Sequence, residues 1–307
     1  MPLFNIKNKQ LIPIKEKKID LEKDIQEITG DNLETVFDLK FIAHEFALNG
    51  LRIDTLAFDE ENKSFVIIEY KKDRSFSIID QGYAYLALML NNKADFILEY
   101  NEKMNDNLKR DDVDWSQSRV LFISHSFTPH QRNAINFQDL PMELWEIKKY
   151  DNNIILYNQL KASEKSDSIK TITKDKTIVS VNKEVKNYTV DALFKDDWNI
   201  SREWYEKLKT RILELDNRID EVPTKHYVGY KIGKNVILAL NIRKSNIELQ
   251  LYRVKPTDIK DPEKRVEYMD SSMRYWNKHV SRFYIKNDDD MDYAMFLIKQ
   301  IYNNYSK

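Results

Sequence analysis

Between residues 41 and 71 the hydrophobic pattern takes a period of two, three times in succession. Nothing else in the chain narrows its fold as far. Residues 41–48, 51–58 and 64–71 read as strands. The first joint is Asn49-Gly50, a two-residue hairpin signal, and the second is the polar turn Asp59-Glu60-Glu61-Asn62. Strands joined this way are expected side by side in one antiparallel sheet. Before them, Leu21, Ile25, Ile28, Leu33, Val36 and Phe37 recur at helical spacing over residues 20–38, with Gly30-Asp31 as a break. After them, residues 77–90 form a longer helix that buries Ile78, Ile79, Tyr83, Leu86, Ala87 and Leu90.

The rest of the chain reads less sharply. Residues 94–100 are expected as a short strand and 101–114 as a charged loop. Residues 119–124 are a strand leading to Thr128-Pro129-His130-Gln131, a helix start with an N-cap hydroxyl, Pro and a capping-box Gln. Residues 142–147 and 154–157 form a hairpin around Asp151-Asn152-Asn153. With 307 residues, the chain has room for two domains. The boundary is placed at a Ser-, Thr-, Lys- and Asp-rich linker, residues 161–187, between a domain of residues 1–160 and one of residues 188–307. The second domain is expected to hold a helix at 198–215, strands at 227–232, 236–242 and 247–254, and a closing helix at 292–302.

Composition removes several function classes. Hydrophobic residues make up 42% and charged residues 32%, a folded rather than disordered balance. The absence of cysteine excludes disulfide scaffolds, Cys-type zinc fingers and thiol catalysis. Five glycines, and no G-x-x-x-x-G-K-[ST] or G-x-G-x-x-G, argue against a Gly-rich nucleotide cradle. No apolar run approaches the roughly 18 residues of a membrane span, and no secretory signal pattern opens the chain, so a cytoplasmic protein is expected. The net charge of −1 is unevenly spread. Residues 1–160 balance at −7 and residues 161–307 at +6. The first part suits a carboxylate-lined cation site and the second an anionic partner, although both serve equally as solvated surface.

One constellation carries chemistry. Asp54 lies inside the second strand, and Glu69 and Lys71 end the third. Two residues apart on a strand, Glu69 and Lys71 point to one face, shared with Ile67. Two carboxylates and an ammonium on adjacent strands suit a divalent cation such as Mg²⁺, which takes one or two carboxylates plus waters and substrate phosphate. The ammonium then serves an attacking water or the developing charge. Taken singly, each of these charges is also an ordinary strand-end residue.

The conjunction of Gly50, Ile53 and Asp54, then Ile67, Ile68, Glu69, Tyr70 and Lys71, then Gln81 and Tyr85 on the next helix resembles the PD-(D/E)xK nuclease superfamily, and within it NucS-like and RecB-like endonuclease modules. The resemblance covers residues 15–160. It implies an α/β, restriction-endonuclease-like αβββαβ core with a second, smaller α+β domain. It also implies Mg²⁺ or Mn²⁺ held by Asp54, Glu69 and the Tyr70 carbonyl, with Lys71 positioning the water and Gln81 beside the metal and substrate. Tyr85, one turn on, supports Gln81 or touches DNA, and Lys72 and Arg74 become DNA contacts. A further acid on the first helix is implied: Glu22, with Glu27 and Glu34 as rivals. Glu45 is either a supporting acid or an edge charge. Ile53 stands where the family name has Pro.

The C-terminal part resembles a poorly characterised α+β domain that follows such modules in prokaryotic proteins. Lys225, Tyr227, Tyr230, Lys231, Lys234, Arg243, Lys244, Tyr252 and Arg253 interleave basic and aromatic residues there, and Arg274, Tyr275, Trp276, Lys278, Arg282 and Tyr284 do so again. Such a pattern is either a phosphate-tracking, base-stacking surface or a core with charged rims. The five histidines make no paired metal spacing, and Asp288-Asp289-Asp290 reads as the acidic start of the last helix. The expectation is a Mg²⁺- or Mn²⁺-dependent deoxyribonuclease of defence or repair, with DNA as partner, no membrane, and a homodimer compatible with it. The alternative is a non-catalytic recognition module on a relic nuclease fold.

Overall fold

The computed structural model describes residues 2–305 apart from 18, 20–21, 72–76, 136, 138–139, 162–174 and 187. The chain divides into two compact units, Met1–Asn187 and Tyr188–Lys307. No helix among the described residues is long and apolar enough to cross a membrane.

The first unit opens with a two-stranded ribbon, β1 (Leu3–Lys7) and β2 (Gln10–Ile14), on which Phe4, Ile6, Leu11 and Ile12 are exposed. Next come β3 (Glu16–Lys17), α1 (Glu22–Gly30), α2 (Leu33–Phe37), β4 (Lys40–Leu48), β5 (Leu51–Asp59) and β6 (Ser64–Lys71). Asn49 and Gly50 both take positive φ, as a tight hairpin turn between β4 and β5 requires. The chain continues through α3 (Ile78–Asn91), α4 (Lys93–Met104), β7 (Arg119–Ser124), α5 (Pro129–Ala134), β8 (Met142–Tyr150), β9 (Ile154–Leu160) and α6 (Lys176–Glu184). One sheet runs β3-β8-β7-β6-β5-β4, with β9 also on β8. The β6–β7 and β7–β8 pairs are parallel and the rest antiparallel. This is the αβββαβ order expected from the sequence.

β6 and β7 are central and covered on both faces, which is why they read as unbroken apolar runs. On one side Phe65, Ile67 and Phe122 pack with α3, α4 and α6; on the other Val66, Ile68 and Tyr70 pack with α1 and α2.

Two expectations fail here. Residues 94–100 are not a strand, and 101–104 are not loop; both belong to helix α4. Phe96 and Tyr100, one helical turn apart, enter the core beside Phe46 and Phe58, at ring distances of 5.1 and 4.9 Å. Nor are residues 175–186 a linker. Asp175 caps α6 through the amides of Thr177 and Ile178. Val181 and Val185 are buried against the α3 side of the core, and Asn182 accepts from the Tyr83 hydroxyl at 3.0 Å. The expected linker residues 162–174 and 187 lie outside the described residues.

The second unit is built from α7 (Asn199–Leu213), β10 (Ile219–Pro223), β11 (Val228–Ile232), β12 (Asn235–Ile242), β13 (Ile247–Tyr252), β14 (Glu267–Tyr268), α8 (Ser272–Trp276), β15 (Val280–Ile285) and α9 (Asp289–Tyr305). Its sheet runs β10-β11-β12-β13-β15-β14 and packs against α7 and α9. Here Tyr230 and Tyr252 are 0% and 1% exposed and Tyr227 is 9%, so these rings fill the core and present no stacking face to a base. Their phase on the strands, not their basic neighbours, decides this.

Candidate active site

The site forms where one strand leaves its neighbour. β5 pairs with β6 from Asp59/Ser64 as far as Thr55/Ile68. β6 continues beside β7 to the Lys71/Ser124 pair. Asp54 and Glu69 are the first residues beyond the β5–β6 ladder. The Tyr70 amide, released from that ladder, donates to Asp54 Oδ2 at 3.0 Å.

Glu69 is 3% exposed. Its Oε1 accepts from Lys71 Nζ at 2.6 Å and from Gln81 Nε2 at 2.9 Å. Its Oε2 is buried and has no hydrogen-bond partner among the described residues. Gln81 comes from the first turn of α3, which Ser77 caps through the Asp80 amide. Gly82 lets this turn press onto the sheet: a Cβ there would lie 2.5 Å from Met142 Cε. One turn on, the Tyr85 hydroxyl accepts from Gln81 Nε2 at 3.2 Å and donates to the Arg52 carbonyl at 3.1 Å. Burial keeps that hydroxyl protonated, above its ordinary range.

Burial first, and the Glu69 charge second, push the Asp54 carboxyl up to about 6, although the Tyr70 amide and Lys71 oppose the rise. Asp54 also lines an open groove of about 600 Å³, with Glu22, Lys23, Gln26 and Glu27 of α1 and with His44, Glu45 and Arg52. Gln26 Nε2 donates to the Asp54 carbonyl at 2.8 Å and lies 3.3 Å from Glu45 Oε1. Arg52 pairs with Glu45 at 2.8 Å, and His44 Nδ1 is 3.0 Å from Thr55 Oγ1.

The structure thus brings Glu69, Lys71, Gln81 and Tyr85 into one hydrogen-bonded group, with the Asp54 carboxylate beside it on the Tyr70 amide. Glu22 lies in the groove beside Asp54, as does its rival Glu27, whereas Glu34 sits on α2. From α1, Gln26 bonds the Asp54 carbonyl; sequence reasoning missed it, along with His44. Gln26 stands one turn after Glu22 and shares its helix face, the one local signal that pointed to it. Lys72 and Arg74 lie outside the described residues.

The donor set fits a hard divalent cation. Among the described residues no cluster of three or more metal-capable His, Asp or Glu occurs. Two carboxylates completed by waters are, however, what Mg²⁺ takes. A buried Glu69 oxygen with no partner among the described residues, and an Asp54 carboxyl raised to about 6 by burial and Glu69, mark a place short of positive charge.

A family described as a domain of unknown function (DUF5655) matches residues 190–304. An uncharacterized protein of Haemophilus influenzae is 40% identical over 301 residues, 98% of this chain and 99% of that protein. The chain belongs to the family of that protein. Two solved structures align with a TM-score of 0.23. One is a repair endonuclease from Pyrococcus abyssi, 14% identical over 39% of this chain and 45% of that one. The other is an EndoMS–dsDNA2 complex, 15% identical over 41% of this chain and 46% of that one. The chain therefore spans less than half the length of either, and the functional reading rests on its own residues.

Proposed function

We propose that the protein is a metal-dependent nuclease that hydrolyses phosphodiester bonds in DNA at the Asp54–Glu69–Lys71 site. One observation carries this reading. The two carboxylates meet where the β5–β6 ladder opens, one with a buried oxygen that has no partner among the described residues and the other with its carboxyl pushed up to about 6. The choice of DNA as substrate rests on the motif's likeness to the PD-(D/E)xK nucleases.

In this reading Asp54 and Glu69 hold Mg²⁺ or Mn²⁺, which when bound activates water and stabilises charge on a phosphate oxygen. The chain's own groups do the remainder. Lys71, an ammonium with three donors and part of its surface open, orients the attacking water and offsets charge as the phosphorus becomes five-coordinate. Gln81 holds Glu69 in place, and Tyr85 holds Gln81, so the carboxylate needs little reorganisation as the reaction proceeds.

The test is incubation of the full chain with single-stranded, duplex, branched and mismatched DNA, each with Mg²⁺ and with Mn²⁺. Cleavage that disappears in Asp54→Asn, Glu69→Gln and Lys71→Ala supports the reading. No cleavage of any substrate with either metal, or full activity in Glu69→Gln, rejects it.

A further inference from the structure

Glu45 is out of keeping with its strand. It lies inside β4 yet has φ of +54°, a left-handed conformation that a non-glycine residue adopts only when its surroundings impose it. The β4–β5 ladder registers His44 with Thr55 and Phe46 with Ile53, but passes over the Glu45/Asp54 pair between them. The distortion is therefore directly opposite Asp54.

Gln26 reaches into this gap from α1. Its Nε2 donates to the Asp54 carbonyl at 2.8 Å, and the Glu45 carboxylate is 3.3 Å away. Arg52 holds the same carboxylate from the far side at 2.8 Å. Asp54 is thus fixed by two bonds outside the β4–β5 ladder: its carbonyl by Gln26 and its carboxylate by the Tyr70 amide.

The geometry points to Gln26 as a positioning residue. Acting through the Asp54 main chain and the left-handed Glu45, it aims the Asp54 carboxylate at Glu69. This deepens the nuclease reading and rests on it. Gln26 bonds the Asp54 carbonyl and the Glu45 carboxylate, so its effect on the site passes through these two residues. An amide is required, because a carboxylate of the same shape would have no hydrogen to give the carbonyl and would face Glu45 with like charge.

The experiment measures Mn²⁺ affinity by calorimetry, and the melting temperature without metal, for the full chain and for Gln26→Glu and Gln26→Leu. The first variant keeps the shape and loses the donor; the second keeps only bulk. Both should bind Mn²⁺ about 10-fold more weakly or worse, the scale on which partners that orient metal ligands act. The metal-free melting temperature should stay within about 3 °C of the parent, a change of roughly 1 kcal/mol or less. DNA cleavage, where measured, should lose kcat with KM little changed. Parent-like Mn²⁺ affinity in both variants overturns the assignment. So does a loss of affinity matched by collapse of both melting temperatures, which makes Gln26 a fold residue only. A parent protein that binds no Mn²⁺ fails differently: it removes the metal reading itself, and this inference with it.

Discussion

Replacing Asp54 by Asn should stabilise the metal-free protein, and by an amount that depends on pH. The Asp54 carboxyl is raised from an ordinary 3.8 to about 6, by burial and by Glu69. A shift of that size corresponds to about 3 kcal/mol at full value. Asp54 borders an open groove, so solvent reduces this to about 1–2 kcal/mol. The sign follows from which state holds the proton more tightly. The folded chain does, so the folded state is favoured below about pH 4, and that advantage is lost as pH rises through about 6. Asn carries no charge and can still accept from the Tyr70 amide through its carbonyl oxygen. At pH 7.5 without metal, Asp54→Asn should therefore melt about 2–8 °C above the parent, taking roughly 2–4 °C per kcal/mol for a unit of this size. The difference should shrink toward zero near pH 4. Adding Mn²⁺ at pH 7.5 should reverse the order, because only the parent gains binding energy. Differential scanning fluorimetry over pH 4–8, with and without Mn²⁺, reads all of this. A melting difference that stays constant with pH, or an Asn variant less stable than the parent at pH 7.5 without metal, would refute the electrostatic argument.

Other substitutions separate chemistry from packing. Lys71→Met should lower DNA cleavage by about 100-fold or more while Mn²⁺ affinity, read by calorimetry, does not fall, because an ammonium is not a metal ligand. Gly30→Ala should cost about 1 kcal/mol or less in urea unfolding, since a Cβ there would lie 2.3 Å from His44 Cε1 and that exposed ring has to move aside. Phe96→Ala should cost about 3–5 kcal/mol in the same assay, a loss expected of a fully buried helix residue at the centre of an aromatic cluster.

The hairpins of the first unit were legible because strand phase and turn chemistry agree. Residues 41–58 alternate, residues 65–68 run apolar at strand length, and Asn49-Gly50 supplies a turn that fits two adjacent strands. The α4 segment misled because its apolar residues fit two periods at once. Ala94, Phe96, Leu98 and Tyr100 alternate as a strand would, but Leu98 is 56% exposed, and the residues that matter, Phe96 and Tyr100, are a helical turn apart. α6 escaped notice because its buried side is narrow, Val181 and Asn182 with Val185 just past its end, and the polar residues around it set the average. In the second unit, composition left surface and core equally open, and strand phase puts Tyr230 and Tyr252 inside.

The same distinction separates the legible from the hidden parts of the site. Glu69 and Lys71 are two residues apart, and a single hairpin brings Asp54 to them, so local rules suffice. Gln81 follows because the helix after β6 must cross the sheet. Gln26 meets Asp54 across 28 residues of sequence. Its place depends on how α1 lies against β4 and β5, on Gly30 admitting the His44 ring, and on Glu45 leaving the regular strand path. None of these has a spacing that could be read in advance. They share a physical cause. A regular ladder would satisfy every backbone group and leave no reason for Asp54 to turn toward Glu69. Opening the ladder on both sides of β5 exposes an amide and a carbonyl, and those two groups, answered by Asp54 itself and by Gln26, hold the carboxylates together against their repulsion. The cost of that arrangement is carried by the surrounding core, and a cation between Asp54 and Glu69 would recover it.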